Sequence, residues 1–156
     1  MSESIGARIP RQLVLFRVGQ TRYALDIEVV DEILPVLPVT PVAGAPGGIL
    51  GVADVRKRVI PVFDLHWKFG LSRPADDQES RLILVDPAGN PVAFLVDAVE
   101  EVATVRPEEF QQVLPPGRRD GMGYLSGVLR RESGLVLWVD PERLAPDGLG
   151  TLQRAA

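Results

Sequence analysis

The sequence has no cysteine and a single histidine, His66, among its 156 residues. Without thiols the chain cannot form disulfides, thiolate zinc sites or a cysteine nucleophile, and one histidine cannot supply a multi-histidine metal centre. It has no phosphate-binding Gly-x-x-x-x-Gly-Lys loop and no Gly-x-Ser-x-Gly turn. His66 follows Asp64 by two residues, which a helix places on different sides. We therefore expect no catalytic, cofactor-binding or metal-binding residues.

An excess of positive charge is also lacking, since 17 Lys and Arg stand against 21 Asp and Glu. This balance predicts no affinity for nucleic acid. It also favours the interpretation that Arg118-Arg119 and Arg130-Arg131 are surface charges that keep loops soluble. The uncharged stretch 33–53 contains four prolines and four glycines, which exclude a membrane-spanning helix. Residues 1–10 contain no signal-peptide-like apolar run. We expect a cytoplasmic protein without direct membrane insertion, with flexible tails at 1–10 and 146–156.

Short runs rich in Val and Ile, separated by Gly, Pro, Asp and Asn, predict a mainly β protein. Hairpin turns are indicated at 19–20, 86–90 and 132–134, and Pro61 predicts an edge strand or a bulge. The predicted strands are Gln12–Val18, Arg22–Leu25, Ile49–Val55, Val59–Phe63, Arg81–Val85, Val92–Val96, Val102–Val105, Tyr124–Arg130 and Leu135–Val139.

Two short helices are predicted between these strands. Asp26 is placed to cap a helix over Ile27–Leu34, which Pro35 would end. A second helix follows Asp64 and ends at Gly70. Most aromatic side chains occupy strand or helix positions, and we expect them, Trp67 included, to pack in the core.

An internal echo relates the two halves of the chain. Leu13, Leu15, Ala24 and the segment 30–33 match residues 69 positions later, while Gly51, Val52 and Asp64 match residues 76 positions later. The echo predicts two related β-units. Because such short strands need closure to hide their edges, we expect two small barrels that share a hydrophobic seam.

Several motifs together resemble the CheW-like coupling proteins of bacterial chemotaxis. They are Phe16 with Tyr23–Ile27, Val30–Ile33, Ala45-Pro46, Gly51-Val52, Val59–Leu65 and Leu95–Val102, and the resemblance covers residues 11–145. It implies two packed, intertwined five-stranded SH3-like β-barrel lobes with short helices. It also implies a non-enzymatic adaptor that couples the cytoplasmic tips of chemoreceptors to the regulatory domain of a CheA-type histidine kinase.

The resemblance, together with an apolar groove suited to a receptor helix, gives five partner-binding candidates: Val30, Glu32, Ile33, Arg56 and Val99. Arg56 occupies the place of a family arginine, either to reach a receptor or to pair internally with Asp54 or Glu32. Where the family carries Asn-Leu-Arg-Gly, this chain has Asp54-Val55-Arg56-Lys57. Two alternatives stay open: a divergent CheW-like scaffold in a specialised chemosensory pathway, and a β protein that binds a small ligand.

Overall fold

A computed structural model describes residues 9–75, 77–117, 121–147 and 149, so most of both expected tails and the pair Arg118-Arg119 lie outside the described residues. The strands are β1 (Gln12–Val18), β2 (Thr21–Asp26), β3 (Val30–Pro35), β4 (Ile49–Val55), β5 (Arg58–Asp64), β6 (Arg81–Val85), β7 (Val92–Val96), β8 (Ala98–Thr104), β9 (Phe110–Val113), β10 (Leu125–Arg131) and β11 (Gly134–Val139). The helices are α1 (Leu65–Lys68) and α2 (Pro141–Leu144), and single 3-10 turns lie at Ile27–Val29, Pro87–Gly89 and Pro107–Glu109.

The strands form two sheets, each of which makes one lobe. Lobe A has six strands in the order β8-β1-β2-β11-β10-β9, and lobe B has five in the order β3-β6-β7-β5-β4. The hairpin pairs are antiparallel, whereas β2 with β11 and β5 with β7 pair in parallel. The prediction of a mainly β protein with two related units is confirmed, with six strands rather than five in one of them.

The echo corresponds to equivalent strands in the two lobes. The β1–β2 hairpin of lobe A and the β6–β7 hairpin of lobe B hold the same place in their sheets. The strand after each hairpin crosses to the other lobe: β3 pairs with β6, and β8 pairs with β1. Each sheet is therefore completed by a strand that follows the hairpin of the other.

Runs of apolar residues in β6 and β7 reflect burial on both faces of the strands. Leu82 and Leu84 face the interior of lobe B, while Ile83 and Val85 face a cluster shared by both lobes. This shared cluster, called here the seam core, contains Phe16, Val18, Tyr23, Leu25, Phe63, Leu65, Ile83, Val85, Val92, Phe94, Val96, Val139, Leu144 and Leu149. A strand buried on both faces has no need of polar alternation.

Alternation of side chains lets β1 serve both lobe A and the seam core. Leu13 and Leu15 pack inside lobe A, whereas Phe16 and Val18 pack in the seam core. The register between β1 and β8 shifts between Leu15 and Phe16. The residue without a partner at this shift is Glu100, so the bulge lies in β8, and the two faces of β1 follow from ordinary strand alternation.

Gly51 and Gly127, which the echo matched, both lie where another backbone comes close. A Cβ on Gly51 would lie 2.1 Å from the Thr40 carbonyl oxygen, and one on Gly127 would lie 2.6 Å from that of Gln112. Thr40 forms a backbone bridge with Val52, and β9 pairs with β10 beside Gly127. Any side chain at either position would push the neighbouring backbone away.

The predicted helix over Ile27–Leu34 is wrong. Asp26 does cap a turn, accepting from the Glu28 N–H at 2.9 Å, but that turn spans only Ile27–Val29 and β3 follows it. The side chains of β3 alternate between half-buried and exposed, which is the period of a strand. Pairing with β6 supplies backbone partners along the whole segment, so tertiary context overrides the cap.

Three smaller predictions also differ from the structure. β5 lies between β7 and β4 rather than at an edge, and the register shift nearest to Pro61 lies in the partner strand β4, between Ile49 and Gly51. Pro61 is accommodated because the β7 ladder begins only at Val62. Sequence patterns missed β9. Trp67 is 56% exposed on α1, although Phe16, Phe63 and Phe94 are fully buried as expected.

Candidate partner-binding site

The five predicted partner-binding residues come from three elements. Val30, Glu32 and Ile33 lie on β3, Val99 lies on β8, and Arg56 lies in the β4–β5 turn. Among the described strands, β3 is an edge of lobe B and β8 is an edge of lobe A. Edge strands present backbone and side chains to an approaching molecule, so these two strands are accessible elements for docking.

Val30 and Val99 occupy equivalent positions in the two lobes. Both are half-buried and pack against the seam core. Val30 pairs with Val85 of β6, and Val99 pairs with Phe16 of β1. Each side chain therefore offers only part of its surface to a partner and also supports the junction of the lobes.

Ile33 differs from Val30 because it points to solvent. It is 38% exposed and its backbone pairs with Ile83 of β6. An exposed apolar side chain on an edge strand contributes little to the core. A substitution at Ile33 can therefore test binding with a small effect on stability.

Glu32 and Arg56 form a two-pronged ion pair. Arg56 Nη1 donates to Glu32 Oε1 at 2.9 Å, and Arg56 Nη2 donates to Glu32 Oε2. The hydrogen bond from Arg56 lowers the pKa of Glu32, and the hydrogen bond to Glu32 raises the pKa of Arg56. Of the two internal partners considered for Arg56, Glu32 is the one observed.

The Glu32–Arg56 pair spans the open side of lobe B. Glu32 belongs to the edge strand β3, and Arg56 belongs to the hairpin that carries the other edge strand, β4. The Arg56 side chain remains 70% exposed. Because the guanidinium is accessible, an incoming carboxylate or carbonyl can compete for it without opening the core.

The turn that carries Arg56 keeps a conformation that favours glycine. Arg56 has φ 50° and Lys57 has φ 67°, both in the left-handed region. The Lys57 N–H donates to Asp54 Oδ1 at 2.7 Å, which stabilises the turn from within. The departure from Asn-Leu-Arg-Gly thus leaves a tight turn with a lysine at a strained position.

Lobe A contains an ion-pair cluster similar to the one in lobe B. Arg131 Nη1 lies 2.9 Å from Glu109 Oε2, and Arg131 Nη2 lies 3.6 Å from Glu101 Oε1. Glu101 on β8 is the echo partner of Glu32 on β3, so an arginine next to each hairpin meets equivalent carboxylates. The prediction that Arg131 merely solubilises a loop is wrong, and the Glu32–Glu101 echo was the signal that could have revealed this role.

A second group missed by sequence reasoning surrounds His66. Its Nδ1 lies 2.7 Å from Asp64 Oδ1, and its Nε2 lies 3.0 Å from both carboxylate oxygens of Asp97. Asp64 is the N-cap of α1 and precedes the helix, so the helical separation of residues two apart does not apply. The side chain of His66 is only 2% exposed, which withholds it from substrates and partners.

Among the five candidate residues, only Glu32 has a side chain of a type that binds metal ions. Within the described ranges, no group of three His, Asp or Glu side chains is arranged to hold a metal ion. Within the same ranges, no helix has the length and apolar character that a membrane crossing requires. What the arrangement supplies, on the edge strand of a small barrel, is an exposed apolar side chain, Ile33, and on the other face an accessible arginine, Arg56, held by Glu32.

Comparison with known proteins shows which family this chain resembles. Residues 12–148 match the model of the CheW-like domain. Chemotaxis protein CheW of Treponema pallidum is 29% identical over 139 residues, covering 85% of this chain and 81% of that protein. A probable chemotaxis protein CheW of Rhizobium etli is 30% identical over 135 residues, covering 86% of each.

A solved structure has the same fold. The crystal structure of the scaffolding protein TtCheW from Thermoanaerobacter tengcongensis superimposes with a TM-score of 0.78 at 26% identity, covering 90% of this chain and 96% of that one. The fold and its matches define an adaptor of bacterial chemotaxis signalling built from two SH3-like lobes. The chain belongs to the CheW-like family, whose members are scaffold and coupling proteins.

Proposed function

We propose that this protein is a non-enzymatic adaptor that joins the cytoplasmic tips of chemoreceptors to the regulatory domain of a CheA-type kinase. The observation that carries the proposal is the CheW-like match over 12–148, which includes both lobes and the seam core. In the proposal the protein works in the cytoplasm and is recruited to membrane-associated receptor arrays.

The receptor-binding surface in this proposal centres on β3. Receptor tips are helical hairpins, and a helix docks by placing apolar side chains against an apolar surface with a polar rim. Ile33 supplies an exposed apolar contact on one face of β3, and the Glu32–Arg56 pair supplies polar groups at the same edge on its other face. Val30 and Val99 flank the seam core and complete the candidate set.

A matched pair of variants tests this assignment. Ile33 and Val59 are 38% and 37% exposed, and both lie in lobe B, but Ile33 is on the edge strand β3 and Val59 is on the interior strand β5. We expect Ile33→Asp to weaken binding of a receptor-tip fragment at least tenfold in a titration, and Val59→Asp to change it less than threefold. Equal effects of the two variants would remove β3 from the receptor surface.

Arg56 provides a second test of the same surface. We expect Arg56→Lys to weaken receptor binding about fivefold while the melting temperature stays within 2 °C, because lysine cannot reproduce the two-pronged hydrogen bond. Normal binding by Arg56→Lys would mean that the arginine only closes lobe B through Glu32. Lys57→Ala serves as the control for charge at the turn and should bind normally.

A small-ligand function is the second candidate because lobe B contains an apolar cavity of about 280 Å³. Its walls are Val36, Leu37, Val39, Leu50, Val62, Arg73, Leu82 and Leu95. This volume is near the lower limit for ligand sites. A metabolite that raises the melting temperature strongly, with no stabilisation by kinase or receptor fragments, would favour this function over the adaptor.

A further inference from the structure

His66 is held between two carboxylates, one at each ring nitrogen. Asp64 Oδ1 is 2.7 Å from Nδ1, and both oxygens of Asp97 are 3.0 Å from Nε2. Asp64 Oδ1 also accepts from the backbone N–H of His66 at 3.0 Å, so the cap fixes the carboxylate in place. A neutral imidazole carries one N–H and would face one of these acceptors with a lone pair. Only the doubly protonated ring satisfies both contacts.

This contact joins parts of the two lobes. Asp64 ends β5 and His66 lies on α1, both in lobe B. Asp97 lies between β7 and β8, where the chain crosses toward lobe A. The Asp97 N–H donates to the Arg17 carbonyl at 2.9 Å, and Asp97 Oδ2 accepts from the Gly19 N–H at 2.7 Å, which attaches the carboxylate to the β1–β2 hairpin.

We propose that His66 is a doubly protonated cross-link between the lobes, so that loss of its proton at rising pH loosens their junction. The geometry requires the second proton, because a ring nitrogen without one would turn a lone pair toward a carboxylate at about hydrogen-bond distance. The nearly complete burial of His66 keeps water from replacing either contact. Because Val30 and Val99 lie on different lobes, the cross-link also affects the spacing of the partner-binding candidates; that consequence rests on the proposed function.

The surrounding charges are consistent with this protonation state. Burial by itself lowers the pKa of His66, but the hydrogen bonds and charges of Asp97 and Asp64 outweigh it and raise the pKa above 6.5. Arg73 Nε lies 3.9 Å from Asp64, and farther out Arg17 pairs with Glu79 at 3.3 Å beside the hairpin. On α1 itself, the Lys68 ammonium lies over the Tyr124 ring.

The sign of the pH effect follows from the raised pKa. Folding holds the proton more tightly than the unfolded chain does, so the stabilisation is complete below the ordinary histidine pKa of 6.5. It is then lost as pH rises through the raised pKa of the folded state. The protein should therefore be less stable at pH 9 than at pH 6.5.

The first test measures the protons directly. His66 is the only histidine in the chain, so ring-nitrogen labelling of histidine gives an NMR signal from this residue alone. In the intact protein at pH 6.5 we expect both nitrogens to carry a proton, with slow exchange, and the doubly protonated ring to persist to a higher pH than in the urea-unfolded chain. A neutral ring with one protonated nitrogen at that pH would overturn the proposal.

The second test uses variants that keep side-chain shape. Asp97→Asn should lower the pKa of His66, because it removes one of the two carboxylates that raise it, and should reduce the loss of stability between pH 6.5 and 9. Asp140→Asn is the matched control, because Asp140 caps α2 through Glu142 N–H at 3.0 Å as Asp64 caps α1, without contacting a histidine. If Asp140→Asn changes the pH profile as much as Asp97→Asn does, the effect is general and the cross-link is refuted.

Discussion

Replacing Lys57 with glycine should stabilise the protein. Lys57 has φ 67°, where a side chain costs roughly 1–2 kcal/mol relative to glycine. Glycine loses about 0.5–1 kcal/mol more backbone entropy on folding. The Lys57 N–H that donates to Asp54 is retained in the variant. The net gain is about 0.5–1 kcal/mol, or an increase in melting temperature of about 1–4 °C.

Arg58→Gly provides the matched comparison for this prediction. Arg58 follows Lys57, is also basic and exposed, and is the first residue of β5. Unlike Lys57, it does not have a positive φ. Glycine there relieves no strain and should destabilise by about 0.5–1 kcal/mol. Urea unfolding followed by circular dichroism measures both. A Lys57→Gly protein that is less stable than wild type would refute the explanation of the turn as a strained form of the family glycine.

The remaining predictions concern the close backbone approach at Gly51 and the lobe A ion pairs. Gly51→Ala should destabilise the protein by about 3 kcal/mol, because its Cβ would meet the Thr40 carbonyl. Gly70 also has positive φ but faces open space, so Gly70→Ala should cost about 1 kcal/mol. Equal costs would show that the closeness of the Thr40 backbone to Gly51 is unimportant. Arg131→Met should lower the free energy of unfolding by about 1–2 kcal/mol, because it removes both carboxylate contacts. Arg130 is exposed, so Arg130→Met should change the free energy of unfolding by less than about 0.5 kcal/mol. Thermal unfolding compares the two variants, and similar melting temperatures would refute the role of Arg131.

Most of the fold could be predicted because the strands carry their own signals. The runs in β6 and β7 are apolar on both faces, and the turns at 19–20 and 132–134 supply glycine where the chain reverses. The echo identified the equivalent strands because both lobes need glycine at the close approaches and a capping aspartate before each short helix.

The errors arose where long-range pairing outweighs local preference. The segment Val30–Pro35 has a helix cap before it, yet β6 provides its backbone partners. Phe110–Val113 is a short strand with two glutamines, and it is defined only by pairing with β10. Asp97 had no local signal at all, since its partners His66 and Gly19 are distant in sequence.

The sequence led to a set of candidate residues but not to their arrangement, and the set itself stays a prediction. The sequence pointed to Arg56 and left its partner open between Asp54 and Glu32. The structure pairs it with Glu32, 24 residues away, because the edge of β3 lies beside the β4–β5 turn. No pattern along the sequence indicates which two edges of a small barrel lie close to each other.

The most direct test of the adaptor role is whether kinase association with receptors depends on this protein. Vesicles carrying receptor signalling fragments are sedimented with the CheA-type kinase from the same genome, with and without the purified chain. We expect the chain to increase the kinase in the pellet several-fold, and Ile33→Asp to abolish the increase while Val59→Asp preserves it. An unchanged amount of sedimented kinase in the presence of the wild-type chain would contradict the account.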